Sequence, residues 1–234
     1  MNCRVCGANK FKPIYQQNEN EVVQCRECGF GSLRAIPDAT KLHQLYQGDY
    51  HSAISVEDYQ ADAQQKFNLV KQYLNKGGQL LDYGCGLGQL VNLAQQWGAA
   101  PQGYDISTAA ARETEKRFGM KVKTGKPTLH LFPKHRFDVI TAFDVIEHIP
   151  DFKQTLRWFN SWLKPGGYLI MTTPSLDAWD AKLLGKKWYG FTKAYQGEHV
   201  NYFGELSLGL ALQETGFKVK QFRQWGFVRS VDYL

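Results

Sequence analysis

The chain has 234 residues, a mass of 26.7 kDa, a net charge of +6 and 43% hydrophobic residues. This composition is typical of a folded globular protein of one or two domains and excludes a disordered or collagen-like chain. No run approaches the ~18 apolar residues of a membrane span, and the first residues lack the apolar stretch of a secretory signal, so we expect a cytoplasmic protein.

The N-terminal segment carries four of the five cysteines in two Cys-x-x-Cys pairs. Cys3 and Cys6 form the first pair, Cys25 and Cys28 form the second, and a glycine follows each pair. Because the cytosol is reducing, this spacing predicts a metal site rather than disulfides. Four thiolates leave no open coordination position, so we expect a structural zinc in a zinc-ribbon-like module over residues 1–37.

Residues 38–76 are polar and tyrosine-rich, and they predict a helical linker or cap. Strands and helices then alternate over residues 77–234, which predicts an α/β, Rossmann-like domain with a mostly parallel sheet. The predicted strands cover residues 79–83, 103–106, 121–123, 137–143, 168–173 and 217–222. The predicted helices cover residues 89–97, 108–118, 152–163 and 205–215.

Residues 174–203, which we name the lid segment, interrupt this alternation. The segment is long for a connection and carries seven aromatic residues. Long loops inside compact domains are commonly lids or binding loops. We therefore expect Trp188, Tyr189 and Phe191 either to line an acceptor pocket or to pack in the interior.

A glycine loop lies between the strand at 79–83 and the next helix. It covers residues 82–88, with the sequence D-Y-G-C-G-L-G, and allows a tight turn that a ligand can approach closely. Asp105 ends the following strand, where a carboxylate can accept both ribose hydroxyls of a nucleoside. The spacing differs from the G-x-G-x-x-G of dinucleotide enzymes, and Asp82 suits a ligand with an ammonium or sulfonium group. The pattern favours S-adenosylmethionine, and the alternative is a purely structural turn.

The chain resembles the class I S-adenosylmethionine-dependent methyltransferases, in the branch of the ubiquinone-biosynthesis O-methyltransferases. The matching segments are L-L-D-Y-G-C-G-L-G at 80–88, G-Y-D-I-S at 103–107, F-D-V-I at 137–140, E-H-I-P-D at 147–151, L-K-P-G-G at 163–167 and E-H-V-N-Y-F at 198–203. They cover about residues 65–220 in the family's order. The resemblance implies a seven-stranded sheet whose last strand is reversed.

The resemblance also implies a set of cofactor contacts. The glycine loop and Asp82 would line the methionine end, Asp105 would hold the ribose, Ile106 would pack on the adenine, and Phe143 with Asp144 would flank the methyl group. The predicted cofactor-binding residues are Asp82, Gly84, Cys85, Gly86, Gly88, Asp105, Ile106, Phe143 and Asp144.

Methyl transfer requires alignment of the acceptor with the methyl group, and a hydroxyl acceptor also needs a base. His148, just beyond a strand end, and His199, in the lid segment, are the candidates. Asp144, Glu147 and His148 would share one face if they form a helical turn. Related O-methyltransferases carry an acidic-x-x-Glu-His set implicated in Mg²⁺ binding, although the shorter Asp144 disfavours that metal here. We predict Glu147, His148 and His199 as catalytic, and the alternative is that they shape the pocket.

The sequence thus predicts methyl transfer from S-adenosylmethionine to a small-molecule acceptor, at a hydroxyl oxygen. The N-terminal segment resembles the zinc-binding start of some sugar C-methyltransferases. A ribosomal-RNA guanine methyltransferase also joins a zinc module to this fold, so an RNA acceptor is one alternative. A non-catalytic, cofactor-binding zinc-ribbon protein is the other. Residues 1–50 are nearly neutral, which makes nucleic acid the less favoured partner.

Overall fold

The computed structural model describes residues 1–17, 20–37, 56–191 and 199–223. Much of the expected linker, together with Tyr195 and Glu198 of the lid segment, lies outside the described residues. The strands are β1 (Phe11–Gln17), β2 (Asn20–Cys25), β3 (Gly31–Leu33), β4 (Gln79–Tyr83), β5 (Ala100–Tyr104), β6 (Val122–Lys123), β7 (Phe137–Phe143), β8 (Leu163–Thr172) and β9 (Asn201–Tyr202). The helices are α1 (Val56–Val70), α2 (Gln89–Trp97), α3 (Thr108–Phe118), α4 (Phe152–Trp162), α5 (Trp179–Leu184) and α6 (Glu205–Glu214).

A five-stranded sheet forms the larger core, with the order β6-β5-β4-β7-β8 and parallel pairing throughout. Its central strands β4 and β7 are apolar because both of their faces are covered. Leu80, Leu81, Val139 and Ile140 are fully buried, as is typical of strands in a parallel sheet. The predicted α/β fold is confirmed.

The helix ends follow signals in the sequence. The Ser107 hydroxyl accepts the backbone N–H of Ala110 at the start of α3, and the Asp151 carboxylate accepts that of Gln154 at the start of α4. Such caps satisfy amide groups that a helix leaves unpaired at its first turn. The cap of α4 fixes the end of the loop between β7 and α4, which carries three predicted site residues.

The strand expected over residues 217–222 is wrong. In the described part of the chain this segment has no strand pairing, and a reversed edge strand is therefore not found there. The apolar side chains of Phe217 and Val219, which suggested a strand, are partly buried against the main core instead. The Lys220 ammonium lies 5.2 Å from the ring centres of both Tyr73 and Tyr168. The segment thus covers the sheet through side chains rather than by extending it.

A second sheet, antiparallel and with the order β1-β2-β3-β9, joins the N-terminal module to the lid segment. Gly31 pairs with Tyr202, and a Cβ on Gly31 would lie 2.9 Å from the Cβ of Tyr202, so only glycine permits this approach. Trp188 and Phe191 are buried in the core of this sheet, whereas Tyr189 is exposed. Of the two alternatives, the burial of Trp188 and Phe191 in this core favours packing in the interior.

The described residues contain no helix that is long and apolar enough to cross a membrane.

Candidate active site

The glycine loop turns directly from β4 into α2. Gly84, Gly86 and Gly88 have φ angles of 80°, 52° and 77°, which side chains rarely adopt. A Cβ on Gly84 would lie 2.4 Å from the Cγ2 of Val145, and a Cβ on Gly88 would lie 2.3 Å from the Cγ2 of Thr114. Gly84 and Gly88 therefore have no room for a side chain, and Gly84 lies against the segment that follows β7.

Asp105 lies at the carboxyl end of β5 beside this loop. Its Oδ2 accepts the backbone N–H of Gly86 at 2.8 Å, and its Oδ1 accepts that of Ser107, also at 2.8 Å. A carboxylate oxygen can accept more than one hydrogen bond, so these two bonds do not by themselves preclude ribose hydroxyls as further donors. The carboxylate therefore orders the loop and still suits the two hydroxyls of a ribose. Ile106, the predicted adenine contact, follows directly and is half-buried.

Asp82 and Cys85 belong to the glycine loop, but their side chains are directed into the interior. Both side chains are buried, and the Asp82 Oδ1 accepts the hydroxyl of Thr141 at 2.7 Å. Burial raises the pKa of Asp82 to about 6, although the Thr141 hydroxyl and the Lys66 ammonium counteract it. Burial also raises the pKa of the Cys85 thiol well above its ordinary value. The Asp82 carboxyl therefore changes from neutral to ionised at a pH of about 6. A positive charge placed nearby would lower this pKa and favour the ionised form.

Lys66 on α1 lies beside the predicted site residues Phe143 and Asp144, and the sequence did not indicate it. Its ammonium lies 2.8 Å from Asp62 and 3.1 Å from Asp144, and 5.2 Å from the ring centre of Phe143. Burial acts to lower the pKa of Lys66, but the carboxylates of Asp144 and Asp62 outweigh it and raise the pKa. No motif marks this lysine, and an Asp and a Lys four residues apart are ordinary on a helix surface.

Asp144 does not share a face with Glu147 and His148, so that expectation is wrong. Asp144 has a φ of +56°, and only Ile146–His148 form a short 3₁₀ turn. The Asp144 carboxylate instead accepts the Thr172 hydroxyl at 2.9 Å and pairs with Lys66. The left-handed backbone at Asp144 breaks the helical path that the spacing assumed.

Glu147, His148 and His199 meet in space and form what we name the Glu-His-His cluster. One ligand atom from each lies within 4.8 Å of the others, and the two imidazole centres are 4.7 Å apart at an interplanar angle of 70°. The backbone N–H of Val200 donates to the Glu147 carbonyl at 2.8 Å, which holds the lid segment against the 3₁₀ turn. The turn also adjoins Val145, whose side chain lies against the glycine loop.

Glu147 is only 1% exposed, and within the described residues neither carboxyl oxygen has a hydrogen-bond partner. Burial raises the pKa of Glu147 well above its ordinary value, and the nearby Asp144 carboxylate adds to the effect. The Nδ1 of His199 lies 3.2 Å from the carbonyl oxygen of Gly190. Because a carbonyl only accepts, Nδ1 carries the hydrogen and Nε2 is the basic nitrogen of the neutral ring.

The Glu-His-His cluster does not fit Mg²⁺. That ion prefers oxygen ligands, whereas this group offers two imidazoles and one carboxylate. Asp144, the acid that the Mg²⁺ motif would supply, is engaged by Lys66 and Thr172.

The four N-terminal thiols form a compact group, as the spacing predicts. The Cys3 and Cys28 sulfurs are 3.5 Å apart, the Cys6 and Cys25 sulfurs are 3.6 Å apart, and all four lie within 4.8 Å of one another. A tetrahedral zinc with ~2.3 Å bonds to sulfur has edges of about 3.8 Å, so the group fits this metal.

The sequence profile of a family described as a methyltransferase domain matches residues 55–221. A ubiquinone biosynthesis O-methyltransferase from Bradyrhizobium is 31% identical over 138 residues, which is 56% of this chain and 51% of that protein. A maize phosphoethanolamine N-methyltransferase is 32% identical over 108 residues, 44% of this chain and 22% of that protein. The chain spans about half the length, or less, of these curated relatives.

Among solved structures, an S-adenosylmethionine-dependent methyltransferase from Archaeoglobus fulgidus is similar with a TM-score of 0.55 and 19% identity. The match covers 68% of this chain and 69% of the other. At this identity the likeness shows the fold alone.

Proposed function

The chain belongs to the methyltransferase domain family, and from this premise we propose that it methylates a hydroxyl oxygen of a small molecule. S-adenosylmethionine-dependent methyl transfer follows from the family. The acceptor is our inference. The observation that carries it is the Glu-His-His cluster beside the glycine loop.

Several of the described residues suit the cofactor in charge and hydrogen bonding. The glycine loop makes a tight turn at the carboxyl end of the sheet that side chains at Gly84 and Gly88 would block, and Asp105 offers two oxygens to the ribose. Ile106 would contact the adenine, and Cys85 would lie behind the loop. Phe143 and Asp144 would flank the methyl group, and the Lys66 ammonium beside them suits the methionine carboxylate. The bound cofactor supplies a methyl group on a sulfonium, which is already a good electrophile.

This chain's own residues would provide alignment and a base. A hydroxyl is a weak nucleophile until its proton is removed, whereas a neutral amine needs no base for attack. The basic Nε2 of His199, next to His148, supports an oxygen acceptor rather than the nitrogen acceptor of the maize relative. A proton received by either imidazole would sit beside Glu147, whose ionised form this charge would favour.

The histidines provide the direct test of this function. We expect His148→Ala and His199→Ala to slow methyl transfer by about 100-fold or more, the usual contribution of a general base. Affinity for S-adenosylhomocysteine, measured by calorimetry, should stay within twofold of the unaltered protein. The transfer assay uses labelled S-adenosylmethionine with fractionated cell extract, and mass spectrometry identifies the product.

The exposed His130 provides the control, since His130→Ala should transfer methyl groups normally. Label in a small hydroxylated product supports the proposal. Label in RNA would overturn it in favour of the RNA alternative, and label in no fraction would favour a non-catalytic protein.

Asp82 makes cofactor affinity depend on pH. With a pKa of about 6, its carboxyl is protonated below that pH and ionised above it. The sulfonium and ammonium of the cofactor attract the ionised form, so affinity should fall up to about tenfold per pH unit below pH 6 and level off above it. Calorimetry between pH 5 and pH 8 measures this.

The variant Asp82→Asn should show weaker binding and a flat profile over the same range. If the cofactor affinity of the unaltered protein did not change with pH, Asp82 would not be a cofactor-binding carboxylate. Folding stability should respond in the opposite sense. Between the ordinary carboxyl pKa of 3.8 and the raised pKa of about 6, the folded state binds more protons than the unfolded state, so the contribution of Asp82 to stability is lost as pH rises through this range.

A further inference from the structure

One side chain of the N-terminal module reaches into the loop that carries the Glu-His-His cluster. Arg4 stands between the first two cysteines, and its guanidinium is largely buried. Its Nη1 donates to the carbonyl of Pro150, and its Nη2 donates to the Asn201 Oδ1 at 2.6 Å and to the Val200 carbonyl at 3.3 Å. One guanidinium therefore binds the end of the 3₁₀-turn loop and the strand that follows His199.

Aromatic rings fix the guanidinium in this position. Its central carbon lies 5.4 Å from the ring centre of Phe30 in the N-terminal module and 5.7 Å from that of Phe152 at the start of α4. A cation over an aromatic face is favoured electrostatically, more so when it is removed from water. The Lys153 ammonium adds a second link, since it donates to the carbonyl of Val5 at 3.0 Å.

Asn201 extends the contact of Arg4 around the 3₁₀ turn. Its side-chain amide donates to the Ile146 carbonyl at 2.9 Å and to the Ile149 carbonyl at 2.7 Å. These two carbonyls bracket Glu147 and His148, and the Val200 N–H holds the Glu147 carbonyl between them. Arg4 and Asn201 thus fix both ends of the turn, and they tie it to the strand that begins two residues after His199.

We propose that Arg4 is a positioning residue for methyl transfer. It holds the backbone segments that carry His148 and His199, and so fixes the position of the two imidazoles relative to each other. The inference rests on the proposed function, because it treats the Glu-His-His cluster as the acceptor site. Arginine is needed because its planar group offers several donors in fixed directions, whereas a lysine offers one compact charge. The acceptor site then depends on the fold of the first cysteine pair, and the cofactor site does not.

The second cysteine pair contains a matched control. Arg26 stands between Cys25 and Cys28 as Arg4 stands between Cys3 and Cys6, but its side chain is exposed. We therefore compare Arg4→Lys and Arg4→Ala with Arg26→Ala. The comparison separates the effect of losing any arginine inside a Cys-x-x-Cys pair from the effect of losing the one that contacts the acceptor-site loop. Zinc content and circular dichroism confirm that each variant keeps its fold and its thiol group.

Histidine NMR spectra provide a readout that does not need the acceptor. The imidazoles of His148 and His199 lie edge to face, so each ring shifts the proton resonances of the other. His148→Gln and His199→Gln assign the signals. We expect Arg4→Ala to move both resonances toward those of exposed histidines, Arg4→Lys to move them partly and Arg26→Ala to leave them unchanged.

Kinetics complete the test with the labelled-methyl assay on extract fractions. Misplacement of a catalytic group by about 1 Å costs up to ~100-fold in rate, so we expect Arg4→Lys to lower kcat at least about tenfold. Its affinity for S-adenosylhomocysteine should change less than twofold. Unchanged histidine resonances and kcat in Arg4→Lys would overturn the proposal, as would an equal loss of cofactor binding. If the unaltered protein transfers no methyl group, the proposed function fails, while the histidine resonances still show whether Arg4 positions the two imidazoles.

Discussion

Replacement of Asp105 by alanine is expected to weaken binding of S-adenosylhomocysteine by about 100- to 10,000-fold. Each hydrogen bond between a carboxylate and a ribose hydroxyl contributes about 1.5–3 kcal/mol, and the variant loses two of them. The same change leaves the amides of Gly86 and Ser107 without their acceptor, so the glycine loop also loses its order before the ligand arrives. Calorimetry measures the affinity, and thermal unfolding with and without ligand separates binding from stability.

Asp138 provides the matched control for this experiment. Like Asp105 it is a sheet carboxylate that accepts a backbone amide, that of Gln79 at 2.8 Å, and it also pairs with Lys164. It lies near the amino end of β7, however, and so at the opposite edge of the sheet from the glycine loop. Asp138→Asn should lower stability and leave affinity unchanged. Binding in Asp105→Ala equal to that of the unaltered protein would remove Asp105 from the cofactor site.

Features encoded within a few residues were predictable from the sequence. These features include the caps of α3 and α4, the central strands, and the glycine loop with Asp105. Each is specified by residues that are close in the chain and that commonly form one kind of local structure. The parallel sheet followed because buried strands alternated with amphipathic helices. The four cysteines were equally clear, since two Cys-x-x-Cys pairs are a typical spacing of zinc ligands, and their sulfurs lie together as expected.

Features that depend on distant pairing were not predictable. His148 and His199 are 51 positions apart in the chain, and they meet because β9 pairs with β3 and Val200 bonds to Glu147. The same pairing buries Trp188 and Phe191, whose loop-like sequence context favoured neither packing nor an open pocket. Lys66 was missed for a related reason, since only the tertiary fold brings α1 beside Asp144.

The N-terminal module and the lid segment share one antiparallel sheet, β1-β2-β3-β9, so the module also supports the acceptor site. A ribbon that only covered the catalytic core could be lost with little effect on the site. Here β9 belongs to the ribbon sheet and also leads out of the segment that carries His199. The thiol group therefore supports two elements at once, the ribbon and one side of the acceptor site, and its loss should affect both.

We propose that the four N-terminal thiols hold a structural zinc, so removal of one thiol is expected to release the metal and to destabilise the protein strongly. In Cys28→Ser we expect no bound zinc and a loss of several kcal/mol of unfolding free energy, because structural zinc contributes on the order of 10 kcal/mol to the folding of small domains. For a chain of this size, this corresponds to a fall in Tm of about 10 °C or more. Elemental analysis measures the zinc, and calorimetry measures the unfolding.

Cys85 is the matched control, since it is the fifth cysteine and is also buried, but lies in the glycine loop apart from the thiol group. Cys85→Ser should retain one zinc per chain, whatever its effect on the cofactor site. A Cys28→Ser protein that kept its zinc and its Tm would show that the four thiols hold no structural metal. Because Cys28 belongs to the same buried cluster as Phe30 and Phe152, between which Arg4 is held, metal loss should also displace the guanidinium. The histidine resonances of Cys28→Ser should then move in the same direction as those of Arg4→Ala.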